Sequence, residues 1–367
     1  MPDTPSIVLF RERGASLVEY GLILGVVGAV ALSFVQSLGE EISDAFNASA
    51  ESVAIGSFLF STDPVEPEPF IFEVSTGTGA IFPSAGGTIY IDWGDETANA
   101  SCTTVYTVVP STPLTCNYPS PGTYQISITG KLTGYGQLFS SAYKSDIIRV
   151  VQWGNTGLKD LSYAFYGASN LVDVPGSLPS SVTDMSGAFQ YASNLNDPDI
   201  SMWSTGNVKS FSKTFSRALS FDVDVGSWDT SAATNLNEMF YGASSFNRDL
   251  NNWDVSSVAN MDRLFAETSF NGNVASWDMS SVQTLRSIFR DNPSFNGDIS
   301  GWDVANVQDF TRAFMSASDF NADISNWQTG SASSMNSMFY GATNFSQDLS
   351  EWDVSQVSSF VGMVILP

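Results

Sequence analysis

The sequence predicts a multidomain chain with a long N-terminal α-helix, an all-β middle and a repeat solenoid of about 25-residue units. Three observations predict it. Residues 15–38 are predominantly apolar and carry a single charge, Glu19. Residues 88–93 and 123–129 alternate apolar and polar side chains beside the turn signals Gly94-Asp95 and Pro121-Gly122. From Trp203 onward, Trp recurs at 228, 253, 277, 302, 327 and 352, a step of 25 with one step of 24. The expected boundaries are a leader at 1–14, the helix at 15–60, a linker at 61–69, the β domain at 70–150 and the solenoid at 151–367.

The apolar stretch is long enough to cross a hydrocarbon core of about 30 Å as a helix. Arg11 and Arg13 precede it and no Lys or Arg follows before Lys131, which places the N-terminus in the cytoplasm and the bulk outside. Leu38, Ile42, Phe46, Val53 and Phe60 continue a helical spacing. A carboxylate within such a span costs about 2.5–3.5 kcal/mol on insertion scales, so Glu19 is a functional candidate. The run Gly14-Ala15-Ser-Leu-Val-Glu19-Tyr20-Gly resembles the processing site of type IVb (Flp/Tad) pilins, and residues 35–47 resemble the second half of their helix. The resemblance covers about residues 10–60.

That resemblance implies that a prepilin peptidase cuts between Gly14 and Ala15, leaving Glu19 fifth in the mature chain with Tyr20 after it. Glu19 would then pair with the new Ala15 ammonium of a neighbouring subunit, cancelling two charges that are each costly in an apolar core. The implied partners are other pilin subunits, the peptidase and the pilus assembly machinery. The implied location is the inner membrane before assembly and an extracellular pilus afterwards. The alternative is a plain signal anchor with a tolerated Glu19. A removed signal peptide fits less well, because the apolar stretch is too long and no small-residue cleavage box closes it.

The 367 residues carry a formal charge of −24, which argues against nucleic acid and anionic membrane surfaces as partners. The absence of His removes the commonest general base and metal ligand. In an exported chain the two cysteines, Cys102 and Cys116, read as one disulfide worth about 3 kcal/mol, against the alternative of two free thiols.

Pro64, Pro67 and Pro69 make the linker stiff and extended. Beyond it, Asp92-Trp93-Gly94-Asp95 and Tyr118 to Tyr124 resemble PKD-type immunoglobulin-like sandwiches, with Glu96 where that family usually has Gly. The resemblance implies a spacer domain. Asp92, Asp95 and Glu96 read as a hydrogen-bonded turn in preference to a cation site.

The repeat is well shown by residues 239–258, and Phe165, Phe189, Phe215, Phe240, Phe265, Phe289, Phe314 and Phe339 keep phase with the Trp residues. The unit resembles the BspA-type leucine-rich-like repeats of bacterial surface proteins over about 153–364, which implies an α/β leucine-rich-like solenoid. A short strand is expected before Trp, as at Asp249–Trp253, and a short helical segment before Phe, as at Asn237–Phe240. One unit cannot bury its aromatics alone, so stacked neighbours must make a continuous core. The units holding Leu178 and Leu195 read as a degenerate entry cap, and the apolar tail 364–367 as a cover for the last coil.

Stacking puts equivalent residues in rows. Asn247, Asn271, Asn296 and Asn321 would bond from coil to coil. Asp199, Asp224, Asp249, Asp298, Asp323 and Asp348 lie four before Trp, with Asn273 filling the gap; Asp229, Asp254, Asp278, Asp303 and Asp353 lie one after it. These rows either accept backbone N–H bonds in turns or bind Ca²⁺. The turn reading is preferred because Asn substitutes for Asp, and no cofactor is expected. The Trp and Phe rows read as core in preference to a carbohydrate platform.

The function these features imply is a pilin subunit displaying a large repeat domain to a surface protein or glycan. A membrane-anchored adhesin that never polymerises is the alternative. A glycosidase is remote, because carboxylates in rows single out no catalytic pair, and no nucleophile elbow, phosphate loop or zinc spacing is present.

Overall fold

A computed structural model describes residues 68–363, apart from 82, 95–101, 103–104, 107–113 and 137–143. The expected leader, the helix at 15–60 and the tail 364–367 lie outside the described residues. The expected fold class needs correction. The described residues contain no α-helix, only two short 3₁₀ turns at Lys144–Asp146 and Pro198–Met202, and none is long and apolar enough to cross a membrane. In place of a two-sheet sandwich there is one antiparallel sheet, and in place of an α/β solenoid there is a stack of turns.

The sheet comprises β1 (Phe70–Ile81), β2 (Pro83–Asp92), β3 (Val105–Tyr106), β4 (Leu114–Tyr135) and β5 (Ile147–Gln152), in the order β3-β2-β4-β1-β5. The long β4 pairs with both β1 and β2. Alternation in β1 buries Phe70, Phe72 and Val74, and the register sets Phe70 opposite Ile128 and Phe72 opposite Ile126. A second sheet is not needed, because the repeats supply the other layer. Phe70 stacks on Trp153 at 6.0 Å, and Tyr135 and Trp153 meet Phe165 at 5.9 and 6.0 Å. Gly136 permits the approach: a Cβ there would lie 2.2 Å from Ala164 Cα.

From this sheet a ladder of single parallel bridges runs through Gly134, Asp160, Asp184, Ser210, Asn235, Asn260, Thr284, Asp309, Ser334 and Ser359. Each coil is named here by its rung residue. In the Asp160 coil, Leu161, Tyr163, Phe165 and Gly167 donate N–H bonds of 2.7–2.9 Å to the next coil. The intervening Ala164, Tyr166 and Ala168 donate back to Leu161, Tyr163 and Phe165 at 2.9–3.2 Å. Alternate amides thus bond between and within coils, which satisfies the backbone without helix or strand. The segments Asn237–Phe240 and Asp249–Trp253 are accordingly turn and irregular backbone, not the helical segment and strand expected.

The cost of this pattern is two left-handed positions per coil. Three residues after the rung stand Tyr163, Gly187, Lys213, Glu238, Arg263, Ser287, Arg312 and Ser337; seven after it stand Gly167, Tyr191, Arg217, Gly242, Glu267, Asp291, Ser316 and Gly341. Their φ values lie between 53 and 76°. A positive φ at the third residue of a turn is what a type II turn requires. Most of these positions carry side chains for which that region is unfavourable by about 1–2 kcal/mol.

Lys144 ties sheet to coils. It is fully buried, and its Nζ donates to the carbonyls of Gly136 at 2.8 Å and Tyr163 at 2.7 Å. Burial lowers its pKa from 10.5 to about 7. The unfolded chain therefore binds more protons than the folded one between about pH 7 and 10.5, and stability rises with pH across that window. With no His in the chain, little else titrates just above neutrality. Between pH 7 and 9 the melting temperature should rise in the native chain and stay flat in Lys144→Met; parallel profiles would refute the assignment.

Candidate functional site

The coils divide into columns that repeat and columns that vary. The inner column is Trp: Trp203, Trp228, Trp253, Trp277, Trp302, Trp327 and Trp352 are 2–7 % exposed. Each indole N–H donates, at 2.8–3.1 Å, to a carbonyl of the preceding turn of chain, such as Trp253 to Val225 and Trp277 to Leu250. The Phe165 to Phe339 column stacks at 5.4–6.0 Å with ring planes within 2–17°. These aromatics form the core and present no platform to a sugar.

The Asn row bonds from coil to coil through its side-chain oxygens. Oδ1 of Asn247 accepts the N–H of Asn271, Asn271 that of Asn296, Asn296 that of Asn321 and Asn321 that of Ser346, all at 2.8–2.9 Å. The run starts one coil earlier, where Asn196 Oδ1 accepts the Asp222 N–H at 2.8 Å and Asp222 in turn accepts that of Asn247 at 3.0 Å.

Apart from Asp199 and Asp249 the acidic rows close turns; Asp249 Oδ1 instead accepts the Asn273 N–H of the next coil at 2.8 Å. Asp224, Asp298, Asp323 and Asp348, four before Trp, each accept the N–H two residues on at 2.9–3.0 Å, as does Asn273. Asp229, Asp254, Asp278, Asp303 and Asp353, one after Trp, do the same at 2.9–3.1 Å. The Ser hydroxyl and N–H beside Asp229, Asp278, Asp298 and Asp323 hold their carboxyls below the usual range; at Asp348 and Asp353 the N–H acts first. Among the described residues no group of three or more carboxylates or thiols is placed to hold a metal. Addition of Ca²⁺ followed by chelator should leave the melting temperature unchanged; a chelator-reversible rise would make the rows calcium ligands.

The remaining predicted site residues divide as follows. Cys102 and Cys116 form a disulfide with Cα atoms 5.0 Å apart. Asp92 accepts the Gly94 N–H at 2.9 Å in a turn, while Asp95 and Glu96 lie outside the described residues. Gly14, Ala15, Glu19 and Tyr20 also lie outside them.

The varying columns lie two, three, six and seven residues after the rung. They hold aromatic residues such as Tyr163, Tyr191 and Tyr241, the cations Lys213, Arg217, Arg263, Arg286, Arg290 and Arg312 and the acids Glu238, Asp262, Glu267 and Asp291, among small polar residues. Sequence reasoning missed this face. The signal available was the contrast between uniform Trp and Asp columns and these changing ones. Part of the face is internally paired. Glu267 receives Arg217 at 2.7 Å, Arg290 at 2.5 Å and the Tyr241 hydroxyl at 2.7 Å, and Arg217 lies 4.7 Å over the Tyr241 ring. Burial pushes the Glu267 carboxyl up, but the Tyr241 hydroxyl and the two guanidinium groups outweigh it and hold it below the usual range. Lys213 and Arg263 flank Glu238 at 3.8 and 2.7 Å.

No curated protein and no solved structure matches the chain. A family profile described as "Mycoplasma protein of unknown function, DUF285" matches residues 159–274 and 261–365, which are the coils just described. Since the two overlapping matches span more than half of its length, this chain belongs to the DUF285 family.

Proposed function

We propose that the chain is a pilin-type surface subunit that carries its coil stack outside the cell as a non-enzymatic binding scaffold. The observation that carries the scaffold part is the division of labour within each coil. Trp, Phe, Asn and Asp recur where they pack or close turns, while one outer face changes from coil to coil on a constant backbone. Repetition of that kind builds architecture, and variation on a fixed frame suits recognition. The subunit part rests on the N-terminal sequence: cleavage between Gly14 and Ala15, then pairing of Glu19, next to Tyr20, with the Ala15 ammonium of a neighbour. Its partners on this reading are further copies, a prepilin peptidase with its assembly machinery, and a surface protein or glycan.

The bulk of the displayed portion favours one second reading, a processed and anchored adhesin that does not polymerise. Glu19→Ala separates the two. Filaments seen by electron microscopy should disappear in the variant while total chain level is kept. Surface display unchanged by the variant, with no filaments in the parent, would establish the second reading.

A further inference from the structure

The varying face contains one cleft whose charge is not balanced internally. It spans four successive coils and is lined by Arg286, Asp309, Thr311, Arg312, Asn336 and Ser337, with Ser334 and Val361. Arg149, Arg217, Arg248, Arg263 and Arg290 each hold a carboxylate at 2.5–3.0 Å. Arg286 reaches Asp309 only at 3.7 Å. Arg312 is exposed and has no carboxylate within 4.0 Å among the described residues, in a chain of net charge −24.

Arg312 also holds a φ of +58°. Lys213, Arg217 and Arg263 share that backbone conformation, but each is tied down by an ion pair. Tyr191, Ser287 and Ser316 hold the same conformation without an ion pair, so the φ of Arg312 belongs to the coil pattern; what sets Arg312 apart is an exposed guanidinium with no carboxylate partner among the described residues. Asp309 already accepts the Thr311 N–H at 2.7 Å, and Asn336 Oδ1 accepts from the Ser359 hydroxyl and the Val361 N–H. The Asn336 amide nitrogen donates to no group among the described residues, so its N–H groups remain available. Two guanidinium groups and one carboxylate leave a single positive charge. That matches one carboxylate and not a phosphate dianion, which the acidic chain repels further.

We propose that this cleft binds a carboxylate borne on a polyol, that is, an acidic sugar of the uronate type. Arg312 and Arg286 would take the carboxylate, as guanidinium forks do. The Thr311 and Ser334 hydroxyls, which share one hydrogen bond at 2.8 Å, the lone pairs of Ser337 Oγ, whose O–H donates to the Val361 carbonyl at 3.3 Å, and the Asn336 amide would meet the ring hydroxyls. A lining of hydroxyls and amides, with Val361 its one apolar side chain, favours a sugar over an acidic peptide. The proposal deepens the reading of a displayed binding domain by naming a ligand class, but its test does not depend on assembly.

The test is calorimetric titration of the full chain in detergent micelles with glucuronate, glucose, inorganic phosphate and tetraglutamate. Saturable glucuronate binding is expected, with no binding of glucose and weaker binding of phosphate and peptide. Arg312→Gln and Arg286→Gln should each weaken it about tenfold or more. Arg312→Gly should abolish binding while leaving the melting temperature equal or higher, because glycine suits that φ. Absence of saturable glucuronate binding, or binding unmoved by Arg312→Gln, would overturn the proposal. So would phosphate or tetraglutamate binding at least as tightly, or a melting temperature lowered by Arg312→Gly, which would make Arg312 a structural residue.

Discussion

Trp277→Ala should destabilise the coil stack by about 3–5 kcal/mol, the range for deleting a large buried aromatic. The indole is 2 % exposed and lies between Trp253 at 6.4 Å and Trp302 at 6.0 Å, with Phe265 at 6.1 Å. Its loss opens a cavity and leaves the Leu250 carbonyl without its 2.8 Å donor. Because the coils bond chiefly to their immediate neighbours, a central lesion should also uncouple the two halves. Denaturation followed by circular dichroism should then show two steps. Trp277→Phe keeps one stacked ring and loses the N–H and the rest of the indole, so its cost should fall to about 1–3 kcal/mol. Trp352, which has a Trp neighbour on one side only, should cost less than Trp277 when truncated. Equal costs at the two positions would contradict the stacked core.

Asn292→Ala should cost about 3 kcal/mol, although six other coils have Ala at this place. Eight residues after the rung stand Ala168, Ala192, Ala218, Ala243, Ala317 and Ala342; Thr268 and Asn292 are the exceptions. The reason is a missing residue. Phe265 and Phe270 are one residue closer in sequence than Phe240 and Phe246, which produces the step of 24 between Trp253 and Trp277. The shortened coil leaves the Phe270 carbonyl unmatched. Asn292, fully buried, donates to it at 2.9 Å and to the Thr268 hydroxyl at 3.3 Å. Its Oδ1 accepts from Ser294 and Phe295 at 3.1 and 3.2 Å. Alanine would strand two buried backbone groups, the Phe270 carbonyl and the Phe295 N–H, and the half-buried Ser294 N–H. A change below about 1 kcal/mol by urea titration would mean that these groups find other partners.

The aromatic period and the Asn and Asp columns were legible because packing and turn closure leave strong side-chain preferences. The path of the backbone between them was not. Its left-handed positions carry Tyr163, Glu238, Arg263 and Arg312, residues that announce no such conformation, so local propensity suggested strand and helical turn. Alternation correctly marked Phe70 and Phe72 as facing a core, but alternation does not say what covers that face. The first coil covers it, through Trp153 and Phe165. Asn292 had a visible signal, a one-residue deletion next to an Ala-to-Asn change. Lys144 had none, since nothing around it in sequence distinguishes a buried lysine from an exposed one.

On the proposed reading this scaffold is processed and carried outside by an N-terminus of pilin type. N-terminal sequencing of the surface-exposed chain tests it most directly. The claim predicts that the chain begins at Ala15; a surface chain that begins at Met1 and keeps Arg11 and Arg13 would contradict it.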